Sequence, residues 1–206
     1  MPNQLAYLVA GSGMSIKGRD VINRGGEIQV NAGSVDIVAA GRFQNAALFD
    51  GSAHLRRDCL IFCDSSASST VQSHGGLISA SADIRIRAAS EAGNIGGRVL
   101  ALQNLDISAP KVYARGVLGY TAYQRDRGFK AWFSDSWARL YAMDIGGSWT
   151  ADGGRLAVDG EAVVDGGSFS AAGGVDASAG MRIVRNPRRD PVTLENHLGL
   201  TSWFWK

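Results

Sequence analysis

Cysteine, histidine and proline are all scarce in this sequence, and long apolar runs and a dominant charge are missing altogether. The two cysteines, Cys59 and Cys63, are too few for a disulfide framework. They stand four residues apart in a run that reads as a strand, where such positions lie ~13 Å apart at ~3.3 Å per residue. A disulfide needs Cα atoms within roughly 7 Å, so the pair bridges only if the segment turns. Two buried thiols are the plainer expectation. The three histidines, His54, His74 and His197, are scattered without HExxH or His-x-His spacing. Two thiols alone make a poor zinc site, so neither metal nor cofactor is expected. No run approaches the ~18 apolar residues of a membrane-crossing helix. The first ten residues lack the basic segment that opens a secretory signal. With 21 Lys and Arg against 19 Asp and Glu, the net charge of +2 implies no polyelectrolyte partner and no specific nucleic acid. Neither Gly-x-Ser-x-Gly nor a phosphate-binding Walker loop occurs, the Gly-Ser-Gly at residues 11–13 being only a superficial likeness.

Small residues are what the chain does have. It carries 27 glycines, and its 45% hydrophobic share draws heavily on alanine, which suits thin stacked layers better than a wide core. Glycine pairs, or glycine with a small residue, open extended runs at Gly25-Gly26, Gly51-Ser52, Gly75-Gly76, Gly96-Gly97, Gly146-Gly147 and Gly166-Gly167. Measured between Gly26, Gly51, Gly76, Gly97, Gly147 and Gly167 the intervals are 25, 25, 21, 50 and 20, the 50 reading as two periods. Coils of ~20–25 residues fall within the range of solenoids. After several of these glycines the pattern alternates: Val35, Ile37 and Ala39 against Asp36 and Val38; Ile84, Ile86 and Ala88 against Asp83, Arg85 and Arg87; Leu105, Ile107 and Ala109 against Asp106 and Ser108. Period two with one polar face marks a half-buried strand. One such strand buries too little to offset its ordering entropy, whereas stacking coils covers every inward face. Glycines would serve the corners, with Asn23, Asn45, Asn94 and Asn104 at similar bends because asparagine tolerates left-handed backbone. The expected fold is all-β, a single-stranded parallel β-helix (β-solenoid), with a β-sandwich as the competing architecture.

Residues 116–145 break the rhythm. Phe129, Trp132, Phe133, Trp137, Leu140 and Tyr141 fall at helical spacing, and Ser134 or Asp135 could cap a short helix. Wide strands with aromatics on the outside are the alternative. The expected organisation is therefore an N-terminal cap over 1–19, coils over 20–115, an aromatic-rich insertion over 116–145, coils over 146–184, and a C-terminal tail or cap over 185–206. Arg125, Arg127, Trp132, Trp137 and Arg139, with Trp203 and Trp205 of the tail, are the candidate binding residues, since exposed aromatics beside arginines make a recognition patch. Such clusters more often just cover an apolar surface. Asp83, Arg85 and Arg87 resemble charges that some β-helices use on acidic polysaccharides, but alternating charges on an outer face are usually only solvated. No catalytic residue is assigned, and the chain is not expected to be an enzyme.

The run Asp20-Val-Ile-Asn-Arg-Gly-Gly-Glu-Ile-Gln-Val-Asn-Ala-Gly-Ser-Val-Asp-Ile-Val-Ala-Ala-Gly-Arg-Phe-Gln-Asn45 resembles the coil repeats of filamentous-haemagglutinin-like exoproteins, and residues 75–88 look like a looser copy. The resemblance implies a right-handed parallel β-helix in a bacterial surface or secreted adhesin or toxin-delivery stalk, extracellular, with a host-cell surface or glycan as partner. Residues 102–114 are similar instead to the β-helical tips of phage tail spikes and type VI secretion spikes. These imply a trimer or contacts with neighbouring subunits of a virion or injection particle.

Overall fold

The computed structural model describes residues 6–59, 63–127 and 135–197, and all of its elements are strands. The chain divides into two compact units. The first comprises Met1–Phe49, Ser73–Val117 and Asp144–Pro187; the second comprises Asp50–Gln72, Leu118–Met143 and Arg188–Lys206.

Within the first unit the chain passes repeatedly through three strand positions. The first round is β1 (Tyr7–Ala10), β2 (Met14–Gly18) and β3 (Val21–Arg24), and the second is β4 (Glu27–Val30), β5 (Val35–Ala39) and β6 (Phe43–Ala46). An excursion follows: β7 (Leu48–Asp50), β8 (Ala53–Cys59), β9 (Cys63–Ser69) and β10 (Gln72–His74). The third round is β11 (Leu77–Ala80), β12 (Ile84–Ala88) and β13 (Ala92–Ile95). In the fourth, β14 (Arg98–Ala101) is followed by a single long strand, β15 (Leu105–Arg115), before a second excursion through β16 (Val117–Arg127) and β17 (Asp135–Ile145). The fifth is β18 (Ser148–Ala151) and the long β19 (Leu156–Asp165); the sixth is β20 (Ser168–Ala171), β21 (Val175–Ala177) and β22 (Met181–Arg185). Last comes β23 (Arg189–His197).

Strands at equal positions pair in parallel from round to round. One column runs β1-β4-β11-β14-β18-β20; a second runs β2-β5-β12-β15-β19-β21; a third runs β3-β6-β13 and on through the later halves of β15 and β19 to β22. These long parallel sheets are the pairing pattern of a β-solenoid, and each round is one coil. Register is unbroken in the second column, where Ile16, Ile37, Ile86, Ile107, Val158 and Ala177 stack above one another. Ile37 and Ile86 are fully buried, and so are Val35, Ile84 and Leu105. The inward and outward alternation expected at 35–39, 84–88 and 105–109 is what the structure contains. Trp149 fills the interior between Phe43 and Phe169, with ring centroids 6.2 Å and 6.4 Å away, and its indole Nε1 donates to Tyr113 O at 3.1 Å.

The corner before the first column requires glycine on two counts. Gly75 and Gly146 have φ of 59° and 66°, where an L side chain is strained. A Cβ on either would also lie 1.9 Å from a carbonyl oxygen of the coil beneath, Gly25 O and Gly96 O respectively. Asparagines work differently from the expectation, since every described residue with positive φ is a glycine. Asn23, Asn45 and Asn94 are buried in one column and linked along the stack. Asn23 Nδ2 donates to Asn45 Oδ1 at 2.8 Å, and Asn45 Nδ2 to Asn94 Oδ1 at 3.0 Å. Each Nδ2 also reaches a backbone carbonyl at the corner: Gly26 O, Gly76 O and Ser148 O. Side-chain amides thus give corner carbonyls a second donor, since Gly26 O and Gly76 O already accept from the backbone N of Leu77 and of Arg98. Asn104 serves another turn, its Nδ2 donating to Asp83 Oδ1 at 3.1 Å.

First-column strands begin at residues 7, 27, 77, 98, 148 and 168, in steps of 20, 50, 21, 50 and 20. Two coils and an excursion form a unit that recurs along the chain. Each step of 50 is one coil plus an excursion, which corrects the reading of that interval as two periods. Gly51 opens no coil; it belongs to the first excursion. Of the helical stripe expected within 116–145, Trp137, Leu140 and Tyr141 lie on the strand β17, in line with the strand alternative, while Phe129, Trp132 and Phe133 lie outside the described residues.

Candidate recognition surface

On the outer side of the second column, Asp36, Arg85 and Asp106 are register neighbours. Arg85 Nη2 donates to Asp83 Oδ2 at 3.0 Å, and its Nη1 lies 3.9 Å from Asp36 Oδ1. Asp83 Oδ1 also accepts from the backbone N and Nδ2 of Asn104, both at 3.1 Å. The charges noticed at 83 and 85 are therefore engaged with one another and with the next turn. Arg87 is exposed.

A second charge cluster sits where the third column meets the corners. Arg115 Nε donates to Asp165 Oδ2 at 3.1 Å, and Arg185 Nε donates to Asp165 Oδ1 at 3.3 Å. Arg185 Nη1 donates to Asp144, whose side chain is almost wholly buried. That hydrogen bond raises the Arg185 pKa above its ordinary value, so the guanidinium stays charged at any working pH. Arg115 ends the fourth coil, Asp144 precedes the fifth, Asp165 ends the fifth and Arg185 ends the sixth. Sequence reasoning missed this network. Its signal was positional, since Arg115, Asp144 and Asp165 each stand within two residues of a corner glycine.

In the second unit, β8 and β9 form an antiparallel hairpin, and β16, β17 and β23 form a three-stranded sheet in that order. β17 and β23 are antiparallel, with Trp137 opposite Glu195 and Arg139 opposite Thr193. A small core of Ala67, Ala138 and Leu140 holds the unit together, with Ala53, Leu55, Tyr120 and Ala122 against it. Ser69 Oγ donates to Tyr120 O at 2.6 Å, tying the hairpin to the sheet. Tyr123 meets Tyr141 edge to face at 5.4 Å and keeps half its surface exposed.

Of the candidate binding residues, Arg125 and Arg127 lie on β16, and Trp137 and Arg139 on the neighbouring β17. Arg139 is partly buried. Trp132, Trp203 and Trp205 lie outside the described residues. The sheet adds Tyr123 and Tyr141, an aromatic pair of which only Tyr141 belongs to the expected helical stripe. Among the described residues no three His, Cys, Asp or Glu side chains gather to hold a metal ion, and no helix is long and apolar enough to cross a membrane. No family model, curated protein or solved structure matches the chain.

Proposed function

We propose that this chain is a non-catalytic β-solenoid scaffold that displays a recognition unit, as in a bacterial surface or secreted adhesin or exoprotein. One observation carries this: the chain leaves the stacked coils after the second, fourth and sixth, and the three departing segments belong to one separate compact unit. Excursions that only closed the coils would not need a hydrophobic core of their own. The recognition residues are Arg125 and Arg127 with Trp137, Arg139 and Tyr123; Trp132, Trp203 and Trp205, outside the described residues, are assigned to the same role from the sequence alone. Aromatic faces and guanidinium groups suit sugar rings bearing carboxylate or sulfate. An acidic glycan on a host-cell surface is accordingly the proposed partner, and the place of action is extracellular.

The test is binding of the full chain to an acidic-glycan array and to glycan-bearing cells. Arg125→Glu with Arg127→Glu should lower binding at least tenfold without moving the melting temperature, while Arg87→Glu on the solenoid should leave binding unchanged. Equal losses from both, or no binding to any acidic glycan, would remove the proposal.

A second assignment, to a spike or structural component of a phage tail or type VI-like particle, draws on the end coils. Leu8 and Ile183 stand in inward columns yet are 50% and 59% exposed, which suits contact with neighbouring subunits. Against an intertwined trimer stands the completion of each coil by strands of a single chain.

A further inference from the structure

We propose that Cys59 and Cys63 form a cross-strand disulfide that staples the end of the β8–β9 hairpin. Four residues along a continuous strand would hold them apart, but Cys59 ends β8 and Cys63 begins β9. In the antiparallel register Cys59 is the direct partner of Cys63. Residues directly opposite in an antiparallel pair have Cα atoms about 4.5 or about 5.5 Å apart, depending on whether the site is hydrogen-bonded. Both values fall inside the window of roughly 4.4–6.8 Å that a disulfide spans. The two backbones therefore need no rearrangement to be joined.

β9 reads Cys-Asp-Ser-Ser-Ala-Ser-Ser, which offers scarcely any apolar alternation to specify register. Next to the cysteines the register sets Asp58 opposite Asp64, a like-charge pair that opposes pairing. A covalent link one position further along would fix the register at that end of the hairpin.

Closure needs a disulfide oxidant of the glutathione or protein-disulfide class. One cysteine thiolate attacks a sulfur of the oxidant and expels a thiolate, giving a mixed disulfide. The second cysteine attacks that mixed disulfide and expels the other half. The protein loses two electrons and two protons, and the oxidant leaves as two thiols.

The full chain is equilibrated in graded mixtures of oxidised and reduced glutathione, folded and in urea, then acid-quenched, alkylated and weighed as the intact chain. Folded protein should reach half-oxidation at a proportion of oxidised glutathione at least tenfold lower than unfolded protein, with one internal link between residues 59 and 63 and no dimer. Amide exchange supplies a second readout. The Cys59→Ser, Cys63→Ser double variant should lose protection in β8 and β9 while β12 is unchanged. Equal midpoints in folded and unfolded protein, two alkylated cysteines under oxidising glutathione, a persistent glutathione adduct, or unchanged β9 protection in the double variant would each overturn the assignment.

Discussion

Replacing Asn45 should cost the solenoid more than the size of its side chain suggests. It is fully buried and makes three hydrogen bonds, accepting from Asn23 Nδ2 and donating to Gly76 O at 2.7 Å and to Asn94 Oδ1. In Asn45→Ala, Asn23 Nδ2 keeps Gly26 O, and Gly76 O keeps the backbone N of Arg98. The Asn94 amide oxygen, fully buried, loses its donor in the ladder. One orphaned acceptor at about 1–3 kcal/mol, with about 1 kcal/mol for the lost net bonding of the others, gives about 2–4 kcal/mol. Asn45→Asp adds a pH signature. An ionised carboxylate cannot donate to Asn94 Oδ1, and burial disfavours its charge, so the folded-state pKa must rise above the unfolded value of about 3.9. The folded state then holds a proton that the unfolded state releases. The variant should be most stable below about pH 4 and lose about 1.4 kcal/mol per pH unit above it, until the folded-state pKa is reached. Urea titrations followed by far-ultraviolet circular dichroism, run from pH 3 to 8 on the wild type and both variants, read these differences. An Asn45→Ala variant within about 0.5 kcal/mol of wild type, or an Asn45→Asp variant that gains stability from pH 4 to 7, would refute the ladder's role.

Other changes separate inward from outward positions. Ile86→Asp places a carboxylate with no counter-charge between Ile37 and Ile107 and should give insoluble or unfolded protein, whereas Arg85→Gln, which only removes an exposed charge, should cost no more than about 1 kcal/mol; equal effects in a solubility and melting assay would sink the inward/outward assignment. Gly146→Ala, strained by positive φ and by Gly96 O, should destabilise by several kcal/mol, while Gly11→Ala, with nothing within 4 Å of its added methyl, should move the melting temperature little; a tolerated Gly146→Ala would remove the tight corner from the description.

Second-column strands were the most legible part of the sequence, because Val35-Asp-Ile-Val-Ala39 and its counterparts show strict alternation with small closing alanines. The glycine pairs at 25–26, 75–76, 96–97, 146–147 and 166–167 marked true corners for a steric reason that any coil repeat imposes. Third-column strands were less visible: Phe43–Ala46 and Ala92–Ile95 are short, and an asparagine fills an inward position where an apolar residue would be expected. The second unit was hardest to read. In β17, Trp137, Leu140 and Tyr141 mimic a helical stripe, although Ala138, Leu140 and Ala142 are the buried alternate positions of a strand. Cys59 and Cys63 seemed too distant for the same reason, since spacing along a chain does not reveal a turn. Of the candidate binding residues, the sequence located two pairs that neighbouring strands of one sheet carry. The pairing itself depended on long-range register.

The central claim is that one chain closes its own coils and carries its own recognition unit. Light scattering after size exclusion tests it most directly. A single species at 21.7 kDa across a wide concentration range is the expected result. A stable three-chain species that persists on dilution would contradict it and place the chain in an assembled spike.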